Sequence, residues 1–153
     1  MKSNRALAAV MAVAGLLLAN PVAAETMSAA EKVRRLDIML MVTGLRCRTG
    51  ADNFQADYGR FTTRHIGALN RAANDLKDEL AARYGSAGSA RALDRLSVTM
   101  ANGYGQGHPW LDCHELKEVA EVLSSLESSE SLAEAADQLL GAARPMRFAW
   151  ADR

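Results

Sequence analysis

The stretch FQADYGRFTTRHIGALNRAANDLKDEL, residues 54–80, decides the fold. Phe54, Tyr58, Phe61, His65, Leu69, Ala72, Leu76 and Leu80 recur at intervals of three or four. That is one continuous stripe along a long amphipathic helix. Asp75, Lys77, Asp78, Glu79 and Arg83 fall off the stripe and face water. Asp52 reads as the N-cap, Tyr84-Gly85 as the end, and Ser86–Gly88 as a loop.

Working outward, the upstream segment repeats the pattern. Ser28-Ala-Ala-Glu31 has the form of a capping box, in which serine accepts from a first-turn amide and glutamate reaches back. Val33, Leu36, Leu40, Thr43 or Gly44, and Cys47 follow at helical spacing, and Ile38, Met41, Val42 and Leu45 widen the apolar face, so this helix is buried on more than one side. Gly50 is the expected stop, in a left-handed cap. Gly44 marks a close approach of two helices.

Downstream, Leu93, Leu96 and Met100 set the stripe of a third helix over about 89–102. Gly103-Tyr-Gly-Gln-Gly-His-Pro-Trp-Leu111 cannot continue it, because three glycines and a proline oppose helix. Asp112-Cys-His-Glu115 is a second box-like cap for a fourth helix with Leu116, Val119, Ala120 and Leu123 inward. After a polar break at 124–130, Ser131 caps a short fifth helix carrying Leu132, Ala136, Leu139 and Leu140, which Pro145 stops. No run alternates at period two long enough for a strand. The expected fold is all-α, an up-and-down bundle of four to five helices.

The chain begins with a segment of a different kind. Lys2 and Arg5 precede an uncharged run from Ala6 to Ala19, Asn20-Pro21 breaks it, and Val22-Ala23-Ala24 offers small residues at a cleavage site. Residues 1–24 therefore read as a secretory signal peptide, with an apolar run shorter than the roughly 20 residues of a membrane span. The expected division is this leader, a helical domain over 25–143 and a C-terminal tail over 144–153. The mature protein is then periplasmic or secreted, with no stable membrane insertion after cleavage.

In an oxidising compartment the two cysteines, Cys47 and Cys113, are expected to pair. For a loop from 47 to 113 the chain-entropy model gives stabilisation on the order of 4 kcal/mol. The whole chain carries 18 basic and 18 acidic residues. Losing Lys2 and Arg5 leaves a slight acidic excess and no electrostatic case for nucleic acid.

Candidate chemistry concentrates in the glycine-rich loop. Tyr104, Gly105, Gln106, Gly107, His108 and Trp110 combine flexible backbone, a titratable ring and aromatic faces beside a helix N-terminus, a setting for a small ligand. The competing expectation is that the loop packs over the end of the bundle with Trp110 as its plug. Its glycines lack dinucleotide-fingerprint spacing and follow a helix, not a strand. His108, Asp112, His114 and Glu115 match no metal-ligand spacing, so no metal and no cofactor is expected. His65 sits on the apolar stripe, where a core histidine with one ring nitrogen bonded to a backbone or side-chain partner is expected.

The strings Leu45-Arg-Cys-Arg48, Asp57-Tyr-Gly-Arg-Phe61 and Ala101–Cys113 resemble a group of small exported bacterial helical proteins over about residues 36–123. Members of that group sometimes carry the label S-adenosyl-L-homocysteine hydrolase. That enzyme is a large cytoplasmic NAD-dependent protein with a Rossmann domain. This chain has neither its length nor its fingerprint, and no catalytic residue carries over. The reading that follows is an exported, non-catalytic helical module that binds a protein or small ligand in the cell envelope. The alternative is a small envelope hydrolase using His108 or His65 with a carboxylate.

Overall fold

A computed structural model describes residues 27–141. The signal peptide read over 1–24, the stop at Pro145 and the tail over 144–153 lie outside them. Five helices follow in order: α1 (Ala29–Arg46), α2 (Gln55–Tyr84), α3 (Ser86–Gly103), α4 (Cys113–Ser125) and α5 (Ser129–Leu140), with one turn of 3-10 helix at Cys47–Thr49. The described chain is all-α and is closed by the Cys47–Cys113 disulfide, whose Cα atoms are 5.7 Å apart.

The long stripe of α2 forms the spine. Phe54, Phe61, His65, Leu69, Ala72 and Leu76 are buried along it. They meet Leu36, Met39 and Leu40 of α1, Leu116, Val119, Ala120 and Leu123 of α4, and Leu132, Ala136 and Leu139 of α5 in one core. Burying each of the Leu, Val, Met and Phe side chains among them contributes about 1.5–3 kcal/mol before entropy is counted. The helix α2 packs against α1, α3 and α4, whereas α5 packs chiefly on α1. The loop after α3 thus carries the chain across the bundle, so that α4 seats on α2 and α1. No described helix is long and apolar enough to cross a membrane.

Several boundaries differ from the sequence reading, each for a physical reason. Helix α1 ends at Arg46, and Gly50 has φ −102 and ψ 176, which is extended rather than left-handed. The 3-10 turn closes through Gly50 N–H to the Cys47 carbonyl and leaves no left-handed residue to accommodate. Asp52 does not cap α2. The backbone N–H of Gln55 donates to Asn53 Oδ1, and Phe54 takes the N-cap position with its ring fully buried. Gly44 does mark a close approach, but the neighbour is that ring: a Cβ on Gly44 would stand 3.3 Å from Phe54.

The loop expected at Ser86–Gly88 is helical. Gly85 alone, at φ +74, turns the chain, and Ser86 starts α3 at once. Left-handed φ is cheap only for glycine, so one residue suffices. The fifth helix is capped by Ser128, whose Oγ accepts from Ser131 N–H, not by Ser131 itself.

Candidate functional site

The glycine-rich loop runs from the end of α3 to the first turn of α4, and four ties hold it. At its start Tyr104 is inserted into the core, 9 % exposed, beside the Arg35 guanidinium. Burial raises its phenol pKa, and Arg35 opposes that rise. Next, Arg46 at the end of α1 donates to the Gly105 carbonyl at 3.0 Å. Third comes His108, and last the disulfide at Cys113. Gly107 has φ +111, a conformation open mainly to glycine, and its N–H bonds back to the Tyr104 carbonyl.

His108 is half-buried and fully engaged. Its Nε2 lies 3.2 Å from the Leu139 carbonyl, while Nδ1 faces the backbone N–H groups of Trp110 and Leu111 at 3.4 and 3.2 Å. One tautomer satisfies all three: Nε2 carries the hydrogen and donates to Leu139, and Nδ1 accepts. Burial lowers the ring's pKa, against the carbonyl of Leu139 and the charge of Glu115, which both raise it. A proton on Nδ1 would also point at two N–H donors. The ring stacks near Tyr104 and takes the edge of Trp110 at 4.7 Å between centroids.

The plug is therefore Tyr104, with Trp110 half-buried above it. The indole Nε1 of Trp110 is buried with no acceptor among the described residues. Gly105 and Gln106 are exposed at the tip. Of the six loop residues singled out, Tyr104, Gly107, His108 and Trp110 build the loop, and Gly105 and Gln106 present it.

Asp112 and Glu115 complete a reciprocal capping box, each side chain accepting from the other's backbone N–H at 2.9 Å. His114 points elsewhere, with Nδ1 3.3 Å from Asp52 and Nε2 3.5 Å from Glu118 at an exposed site. The four residues weighed as metal ligands thus face three directions. Among the described residues no group of three or more His, Cys, Asp or Glu side chains is placed to hold a metal.

His65 is buried, and its Nε2 donates to the Leu123 carbonyl at 2.9 Å, tying α2 to the end of α4. Its ring packs on Phe61 at 5.3 Å. Among the described residues neither His65 nor His108 is within hydrogen-bond reach of a carboxylate.

Two features escaped the sequence reading. One is a polar cluster bridging three helices: the Tyr58 hydroxyl donates to Asp37 at 3.0 Å, and Arg34 reaches both Asp37 and Ser97 at 3.4 Å. Desolvation raises the Asp37 pKa despite the Tyr58 hydrogen bond and Arg34. Desolvation also raises the pKa of Tyr58, helped by the Asp37 charge. The other is a cleft of about 650 Å³ between the start of α1, the end of α2 and α3, floored by Leu76, Leu80 and Leu96 and rimmed by Glu31, Tyr84 and Arg95. Charges interleaved with leucines on three separate helices give no contiguous signal for it. No family model, curated protein or solved structure matches the chain.

Proposed function

We propose that this chain is an exported, non-catalytic helical module that recognises a protein partner in the cell envelope through the exposed tip of its glycine-rich loop, Gly105 and Gln106. Export is supported by the leader-like residues 1–24 and by a disulfide of the kind oxidising compartments sustain. The resemblance to small exported bacterial helical proteins points the same way.

The observation that carries the reading is the state of the two core histidines. A general base needs a free lone pair aimed at substrate. His108 spends both ring nitrogens on backbone groups, and His65 is buried against Leu123. That weighs against the hydrolase alternative. A loop tied at four points is also preordered, so a partner meets little ordering cost on binding.

Immobilised mature protein exposed to envelope extract tests the reading. A retained component should be lost with Gln106→Trp, which blocks the tip, and kept with Glu79→Gln at the far end of α2. Equal retention by both variants, or hydrolytic activity abolished by His108→Gln or His65→Gln, contradicts it.

A further inference from the structure

Helices α2 and α3 pack side by side across the single turning residue Gly85. With the start of α1 they bound the cleft of about 650 Å³ described above, within the roughly 300–1,000 Å³ usual for small-molecule sites. Leu76 closes its floor and is 2 % exposed, while Leu80 and Leu96 are only half-buried there. Tyr84, 57 % exposed, extends the same wall. Large apolar side chains exposed singly are ordinary on a protein surface, but these line one concavity.

The apolar wall has a direction. Leu76, Leu80 and Tyr84 stand one turn apart on α2, and Ala92 and Leu96 do the same on α3. The rise from Leu76 to Tyr84 gives a track about 12 Å long at roughly 1.5 Å per residue. A track of that length fits one extended hydrocarbon chain of medium length.

The rim sets the other end of the ligand. Glu31 is paired with Arg35 at 3.1 Å. Glu79 and Arg83 are neighbours one turn apart on α2. The Ser28 hydroxyl caps α1, and that of Thr99 donates to the Arg95 carbonyl. The Arg95 guanidinium is exposed at the rim and has no partner among the described residues. Its forked N–H donors match a carboxylate. Leucines along the floor and one unspent guanidinium at the rim together suit a ligand with an apolar tail and a single anionic head.

We infer that the cleft between α1, α2 and α3 binds a single-chain amphiphile with an anionic head, in chemical class a fatty acid. Its acyl chain lies on Leu76, Leu80, Leu96 and Tyr84, and its carboxylate meets Arg95. This assignment is independent of the loop-tip reading above.

Titration of the full mature chain with hexanoate, octanoate, decanoate and dodecanoate, each below its micellar concentration, tests the assignment. Calorimetry gives the affinities, and ¹H–¹⁵N shifts at Leu80, Tyr84, Arg95 and Leu96 give the place. Affinity should rise about fourfold per added methylene and level off once the chain fills the track. Decanoate should bind about tenfold more tightly than decanol, as expected of a hydrogen bond to a charged group. Arg95→Gln, at an exposed position, should bring the two to equal affinity. Vesicles of an anionic two-chain lipid should leave these amides unshifted. Equal binding of decanoate and decanol by the wild type would overturn the assignment. So would the absence of saturable binding across the series, shifts confined to other parts of the chain, or the same shifts with vesicles, which would make a bilayer the ligand.

Discussion

His108 shows how one side chain can be used up by structure. Its ring holds α5 through Leu139 and the loop through two N–H groups; the two contacts at Nδ1 need the neutral form, whereas Nε2–H donates to Leu139 in either form. Its pKa is lowered in the fold, so the unfolded chain binds the proton more readily. The stability it contributes is therefore complete above the unfolded pKa of about 6.5 and declines as pH falls from there through the folded value. Asp37 carries the opposite sign in a lower window: its pKa is raised in the fold, so its term becomes more favourable as pH falls toward the carboxylate range. Urea midpoints should thus drop between pH 7 and pH 5 in the wild type. In His108→Gln they should start lower at pH 7, by about 1–3 kcal/mol of stability, and fall less on acidification. A variant whose pH slope matches the wild type would remove His108 from this role. None of this was legible from the sequence, because His108's partners come from Leu139 and from backbone whose course no periodicity fixes. His65 was legible, since a histidine on an apolar stripe needs a buried acceptor and α4 supplies one.

Helices were readable wherever apolar periodicity and capping chemistry agreed. The stripe of α2 is buried along nearly its whole length, and at both proposed capping boxes the serine or aspartate accepts from the N–H three residues on, but only Asp112–Glu115 is reciprocal, since the Glu31 carboxylate pairs with Arg35 instead. Boundaries failed where tertiary packing overrode local preference. Phe54 displaces a polar cap because its ring fills the space beside Gly44. Ser86–Gly88 joins α3 because Gly85 alone turns the chain. The cap at Asp112 fixes both α4 and the end of the loop, so Asp112→Ala should cost about 0.5–2 kcal/mol in urea unfolding. A change within error would mean that the disulfide at Cys113 alone sets the start of α4.

For the molecule as a whole, apolar periodicity and two cysteines were enough to give an all-α bundle with one clamp, whereas the routing of α4 onto α2 and α1 required the loop's actual path. The disulfide joins the 3-10 turn after α1 to the first residue of α4, the two ends that flank the loop. Replacing both cysteines by serine should remove on the order of 4 kcal/mol, read as a lower urea midpoint with helical content kept in native buffer. An unchanged midpoint would mean that the clamp does not constrain the unfolded chain. The glycine-rich loop is a platform tied by Tyr104, Arg46, His108 and the disulfide. Amide hydrogen exchange across residues 104–111 of the oxidised mature protein tests it most directly. Gly107, Trp110 and Leu111 should be protected by about tenfold or more over unstructured peptide, with that protection reduced once the disulfide is broken. Exchange at the unstructured rate in the oxidised protein would contradict it.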